Sequence, residues 1–250
     1  MARGYRKDRK RDNKQEFNPD SWTPKTQIGK MVKEQKITSI EEIYALGKPV
    51  LEAEIVDFLL PGLESETLEI KNTQRMTDCG RKMQFRAVVL LGDKNGHFGI
   101  GVGKSEEVRP AIETASKNAR RNIICVPRGN GSWEDNIKAP HSIPIKVTGK
   151  NGSVEVVIKP APRGVGIAAN HVLKKVLIYA GVKNAWSFSR GHTRSIYNMA
   201  MAAAKALNSL NGMKYHGDWS EMGARGEEIA KMQGAFKGVK SADEKLKEVA

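Results

Sequence analysis

The first residues to ask about chemistry are the alternating glycines of Gly99-Ile100-Gly101-Val102-Gly103-Lys104-Ser105. A glycine-rich run that closes on Gly-Lys-Ser suggests a loop wrapped around nucleotide phosphates. The spacing is wrong for that chemistry. A phosphate-binding loop needs four residues between its first glycine and the Gly-Lys pair, but position 98 is Phe, and counting from Gly99 leaves three. No acidic strand of the Walker type accompanies it. Glycine at every second position instead strips one face of a strand of side chains, so that a helix or an RNA backbone can approach closely.

Metal and nucleophile chemistry finds little support in linear spacing. His97, His141, His171, His192 and His216 show no ligand spacing with one another or with Cys79 and Cys125. They are expected to be surface or packing residues, with no metal and no cofactor. The two cysteines form neither a CxxC pair nor a disulfide framework, which fits two ordinary thiols in a reducing cytosol. No Ser/His/Asp order can be argued from sequence alone.

Anion binding is better served. The stretch from Arg75 to Arg81-Lys82 joins two expected strands, so its tip either probes an RNA groove or is a solvated turn. The loop Pro162-Arg163-Gly164-Val165-Gly166 runs into an expected helix. Free backbone N–H groups and the positive end of the helix dipole would make an anion site there; a plain left-handed turn is the other reading.

The elements that must hold these residues follow from hydrophobic periodicity. Residues 37–60 read as one or two short helices. A meander follows. Leu68 and Ile70 begin an alternating strand, and Phe85, Ala87, Val89 and Leu91 share one face of the next. Gly92-Asp93-Lys94-Asn95-Gly96 is a hairpin turn in which Asn-Gly supplies positive φ. In 97–103, Phe98, Ile100 and Val102 point one way and the glycines the other. A helix is predicted from about Pro110, with Ile112, Ala115, Ala119 and Ile123 as its apolar stripe and Lys117, Arg120 and Arg121 in its last turns. After a Gly/Trp/Pro-rich stretch at 128–140, strands are predicted with faces Ile143/Ile145/Val147 and Val154/Val156/Ile158. Helices are predicted over about 167–180, closed by Gly181, and about 194–209, with a short strand near 185–189 between them.

Composition points to the class of partner. The formal net charge is +14, from 42 Lys+Arg against 28 Asp+Glu in 250 residues. That excess predicts a polyanionic partner. Seven basic side chains crowd residues 1–14 with no apolar pattern, so this arm is expected to be disordered until it meets its partner. Residues 161–210 carry seven basic residues and no acid. No apolar run of 18 residues and no basic amphipathic helix supports a membrane, and residues 1–14, with no apolar stretch behind their basic side chains, are not expected to be a secretory signal.

Several of these segments together resemble one family. Gly80-Arg81, Phe85 and the run from Gly92-Asp93 through Gly96, Gly99 and Gly101 to Gly103-Lys104 begin the match. Pro110-Ala111-Ile112 and Lys117-Asn118-Ala119-Arg120-Arg121 continue it, as do Pro140-His141-Ser142-Ile143-Pro144, Pro160-Ala161-Pro162-Arg163-Gly164-Val165-Gly166 and Lys174-Lys175-Val176-Leu177. They resemble the S-five family of small-ribosomal-subunit proteins, called S-two in eukaryotes. Trp22-Thr23-Pro24-Lys25-Thr26, the stretch from Gly29 to Lys33, and Ser39-Ile40-Glu41-Glu42-Ile43 look like its archaeal and eukaryotic branch.

The resemblance covers roughly residues 22–210. It implies an α+β protein whose first unit is similar to a double-stranded-RNA-binding domain, with a three-stranded antiparallel sheet and a helix. A βαβ-type C-terminal domain follows. The expected division is a basic arm at 1–36, an acidic helical segment at 37–64, the RNA-binding-like domain at 65–128, a linker at 129–140, the C-terminal domain at 141–210 and an extension at 211–250. One departure limits the analogy. Glu106, Glu107 and Pro110 stand where ordinary double-stranded-RNA-binding domains carry a lysine cluster, so their way of straddling a duplex is not carried over.

The function so implied is that of a structural constituent, without enzymatic activity or small-molecule substrate. It would bind small-subunit ribosomal RNA near the decoding region, beside the path by which messenger RNA enters. Its neighbours would be S-four and S-eight type proteins, and with S-four and S-twelve type proteins it would influence decoding accuracy. The side chains expected to meet ribosomal RNA are Arg75, Arg81, Lys82, Arg86, Lys104, Arg109, Lys117, Arg120, Arg121 and Arg163. Gly166 and Lys174 are expected at the S-four type neighbour. The alternative is an RNA-processing enzyme or a free RNA-binding module guided by the same kind of domain; an enzyme would need a paired-carboxylate or metal constellation.

Overall fold

The computed structural model describes residues 22–130, 132–134 and 140–213. The basic stretch 1–14, part of the linker and the extension from 214 onward lie outside the described residues.

Three short helices come first: α1 (Gln27–Lys33), α2 (Ile40–Ala45) and α3 (Ala53–Leu59). Each is too short to persist alone, so caps and burial hold them. The Thr26 hydroxyl accepts from the Gly29 N–H and the Ser39 hydroxyl from the Glu42 N–H, while the Glu42 carboxylate reaches back to the Thr38 N–H. The Glu52 carboxylate accepts from the Trp22 indole and from the backbone N–H groups of Lys25 and Thr26. Trp22, Ile28 and Val32 are buried together with Ile40, Ile43, Ile55 and Val56. Residues 22–36, assigned to the basic arm from sequence, therefore contain packed structure. The apolar pair Ile28/Val32, one turn apart, is short and surrounded by lysines, which hid it.

The first sheet runs β1 (Glu64–Thr77), β2 (Gly80–Gly92), β3 (His97–Ser105) and β4 (Ile123–Cys125), all antiparallel and in that order, with α4 (Val108–Arg121) between β3 and β4. The expected three strands and helix are present, and β4 adds a short fourth strand. In the β2–β3 turn, Lys94 and Gly96 take the positive φ values, 62° and 109°, rather than Asn95. The Asp93 carboxylate holds that turn by accepting from the N–H groups of Asn95 and His97.

The alternate glycines of β3 meet a helix. A Cβ at Gly99, Gly101 or Gly103 would lie 2.3, 2.0 or 2.2 Å from the carbonyl oxygens of Ala119, Ala115 and Ala111. Those alanines are spaced by four on one face of α4, so backbone meets backbone across the interface. The same device recurs in the second unit, where a Cβ at Gly149 would lie 2.2 Å from the Ala202 carbonyl oxygen.

That second unit has strands β5 (Val147–Asn151), β6 (Val154–Pro160), β7 (Ile167–Ala168) and β8 (Ala185–Arg190), in the order β5-β6-β8-β7. β7 and β8 are parallel and joined through α5 (His171–Tyr179), which makes the βαβ crossover; α6 (Ile196–Asn208) packs on β5 and β6. The strand predicted around 143–147 begins only at Val147. Ile143 is buried before the strand starts, and Ile145 is exposed.

A single face of 84–91 was expected to be apolar, yet Ala87 through Leu91 are all buried. Ala87 and Val89 pack under α4 with Ala111 and Ala115. Val88 and Leu90 join Phe98 and Ile100 in the core of the second unit, among Val154, Val156, Leu173, Val176 and Met199. The first sheet is thus covered on both sides along its inner half, and the two units share one core.

Candidate nucleic-acid interface

Beyond that covered half, β1 and β2 continue as a two-stranded ribbon. From Lys71/Arg86 outward to Thr77/Gly80 the paired backbone extends for about 20 Å at the usual strand rise, and most of its side chains are exposed. Cross-strand partners share a face, so the register sorts the charges. Lys71 pairs with Arg86, Thr73 with Gln84 and Arg75 with Lys82, while Arg86 also pairs with Lys104 on β3. Lys71, Arg75, Lys82, Arg86 and Lys104 therefore stand on one face. The other face carries Ile70, Asn72, Gln74, Met76, Arg81, Met83 and Phe85, with Met76 and Met83 exposed.

Two carboxylates temper the basic face. Glu69 lies 3.4 Å from Lys71 and 3.6 Å from Arg86, and Glu106 lies 3.5 Å from Lys82. The exposed Lys82–Glu106 pair contributes little, on the order of 0–1 kcal/mol, whereas Glu69 and Arg86 meet partly buried. Arg75 and Lys104 have no ion-pair partner among the described residues. Arg86 is held further: its guanidinium lies 5.7 Å from the ring centre of Tyr197, in the first turn of α6. Like charges directly opposite on a ladder repel. Arg75 facing Lys82, and Arg86 between Lys71 and Lys104, form an arrangement that a polyanion would relieve.

The remaining expected residues fall elsewhere. Arg109, Lys117 and Arg121 are exposed and spaced by multiples of four along α4, with Glu113 in the same row. This helix covers the glycine face, so the first sheet separates its stripe from the basic face. Arg120 is engaged by Asp57 of α3 at 2.7 Å, with both side chains about a quarter exposed. Arg81 and Lys82, adjacent in sequence, point to opposite faces of the ribbon. Lys71 and Tyr197 were missed from sequence; the signal for Lys71 was its place opposite Arg86 in the hairpin register.

The loop 160–166 differs from expectation. β7 intervenes between the loop and α5, which starts at His171. The loop N–H groups are therefore not the helix terminus, and the anion site argued from the helix dipole does not form there. Instead the Gly166 N–H donates to Asn184 Oδ1 at 2.9 Å, and the Ala161 N–H donates to Ser142 Oγ. Asn184 Nδ2 lies 3.0 Å from His141 Nδ1, and Ser142 Oγ donates to the Asn184 carbonyl. His141, Ser142 and Asn184 are buried, so this polar knot fixes the loop. Gly164 and Gly166 have φ of 92° and 71°, and a Cβ at either would meet open space. The need for glycine is backbone conformation, not crowding. Arg163 is exposed at the loop. Lys174 is exposed on α5, whose buried face is Val172, Leu173, Val176 and Leu177, while Lys175 pairs with Glu66 at 2.7 Å.

Comparison with known proteins adds an independent line. Residues 63–127 match the family described as ribosomal protein S5, N-terminal domain, and residues 149–218 match ribosomal protein S5, C-terminal domain. Three relatives are each named small ribosomal subunit protein uS5. That of Methanocaldococcus jannaschii is 53% identical over 195 residues, 78% of this chain and 90% of the relative. That of Methanococcus maripaludis is 52% identical over 202 residues, 81% of this chain and 90% of the relative. That of Aeropyrum pernix is 49% identical over 202 residues, 81% of this chain and 93% of the relative.

Proposed function

This chain belongs to the ribosomal protein S5 family, and from that premise we propose that its basic sheet face docks it on small-subunit ribosomal RNA near the decoding region, beside the path by which messenger RNA enters. It is a protein of the small ribosomal subunit, cytoplasmic, and not an enzyme. The observation that carries the docking proposal is the shared face of Lys71, Arg75, Lys82, Arg86 and Lys104 on three adjacent strands. Its chemistry is phosphate neutralisation by fixed cations, with counterion release as the main driving term. Arg86, clamped by Glu69 and Tyr197, anchors the centre of the face, and the ribbon carries Arg75 and Lys82 away from the core.

The protein neighbours in this proposal are of the S-four and S-eight types. The 160–166 loop and the outer side of α5, with Gly166 and Lys174, meet the S-four type neighbour, and the contact influences decoding accuracy together with the S-twelve type protein. The exposure of Lys174 and of the loop supports this reading.

Sedimentation of cell extracts tests the RNA-docking proposal. The native chain should travel with small subunits. A variant with Arg75, Lys82 and Lys104 changed to Gln should fold, by circular dichroism, yet shift toward the free fraction. Normal incorporation of that variant would remove the face from the docking proposal.

A further inference from the structure

Behind the glycine sheet lies a cluster that the ribosomal role does not use. Glu41 of α2, His97 at the start of β3 and Cys125 at the end of β4 bring a carboxylate oxygen, a ring nitrogen and a sulfur within 4.8 Å of one another. His97 and Cys125 are directly paired across the two strands. The linear separation of 41, 97 and 125 is why no ligand spacing is visible in the sequence.

Three further observations bear on what this cluster holds. The His97 Nδ1 lies 2.8 Å from Asp93 Oδ2. His97 Nε2 is buried and has no hydrogen-bond partner. Glu41 and Cys125 both line a cavity of about 910 Å³, along with Tyr44, Asn122 and Asn211. When the neutral ring donates its Nδ1–H to this carboxylate, Nε2 is left as a lone pair; metal-bound histidines are held in this way. A buried lone pair without a donor carries a desolvation penalty that a cation would remove.

We propose that Glu41, His97 and Cys125 form a binding site for a divalent cation of the zinc class, with Asp93 orienting His97. Nitrogen, sulfur and carboxylate oxygen are the ligand set of tetrahedral zinc. Zinc bonds of about 2.0–2.3 Å require ligand atoms about 3.3–3.8 Å apart, so side-chain shifts of at most about 1.5 Å complete the site. The thiolate and carboxylate charges together balance the dication, and the thiol proton leaves to solvent on binding. The cavity beside Glu41 and Cys125 leaves room for a water or another group in the fourth position. Bound metal would tie α2 of the N-terminal segment to the β3–β4 edge.

The test uses the full chain, stripped by chelator and titrated with zinc by calorimetry and with Co²⁺ by absorbance. One equivalent should bind, and Co²⁺ should give a thiolate charge-transfer band. Cys125→Ser should abolish the band, whereas Cys79→Ser, at the exposed hairpin thiol, should keep it. Glu41→Gln, at a half-buried position of α2, should keep the fold, read by circular dichroism, and weaken zinc binding about tenfold or more by removing a charged ligand. Asp93→Asn should weaken it by about 10–100-fold, the usual cost of losing a histidine's outer partner. Substoichiometric zinc, a band that survives Cys125→Ser, or unchanged affinity in Glu41→Gln would overturn the site and leave His97 and Cys125 as a metal-free cross-strand pair.

Discussion

Arg75 and Lys82 face each other across the ribbon, while Arg81 points the other way. This gives the residue scale its sharpest expectation. Each phosphate contact contributes about 0.9 to the log–log slope of RNA affinity against salt for a duplex. Arg75→Ala combined with Lys82→Ala should therefore flatten the slope by about 2, and Arg81→Ala should leave it nearly unchanged. Binding of the full chain to its ribosomal RNA across a salt series is the measurement; equal slopes for the two variants would mean that the face does not sort the contacts. At Gly166 the backbone sits at φ of 71° with open space around it. Gly166→Ala should cost about 1–2 kcal/mol through left-handed strain alone, read by denaturant unfolding. Lys174→Leu should leave folding and incorporation intact but raise near-cognate misreading in a reporter strain, since a bias of about 1.4 kcal/mol is a tenfold shift between two states. Normal error rates would leave Lys174 a plain surface residue. Residue types were readable from sequence where charge and glycine marked them. Lys71 was not, because its importance comes from standing opposite Arg86, and Glu41, His97 and Cys125 were not, because only the folded sheet brings them together.

Among the elements, the packing of α4 on β3 is the most demanding. Three glycines face three alanines through the backbone, so an added methyl has nowhere to go. Gly101→Ala, with its Cβ 2.0 Å from the Ala115 carbonyl oxygen, should lose about 1–3 kcal/mol as an overpacked core, whereas Gly62→Ala, in open space, should lose almost nothing. Thermal unfolding of the two variants separates these cases, and equal midpoints would contradict the close approach. This element was legible in outline: the glycine alternation and the alanine spacing each appear in the sequence, although either a helix or an RNA backbone could have met the glycines. β7 is only two residues long and gave no periodic signal, which is why the loop before it was expected to lead straight into a helix. β2 was half-read because burial on both faces erases alternation.

Among the described residues, the two units share a core, and a packed N-terminal segment that includes Trp22 forms a second apolar cluster. Deleting residues 1–14 is expected to leave thermal stability nearly unchanged and to weaken RNA association. Deleting 1–36 also removes the buried Trp22, Ile28 and Val32, and should destabilise the chain by about 1.5–3 kcal/mol for each of these side chains lost from the core. If both truncations unfold alike, the first helix contributes little. The family, its two domains and the basic character were legible because they rest on local motifs. The sharing of the core was not, since it depends on Val88 and Leu90 meeting Leu173 and Met199 from far along the chain. The docking of the basic sheet face on ribosomal RNA is tested most directly by RNA–protein crosslinking with mass spectrometry on native small subunits. Crosslinks should gather on Lys71, Arg75, Lys82 and Lys104. A crosslink map that leaves these four bare while marking other surfaces of the chain would contradict that docking.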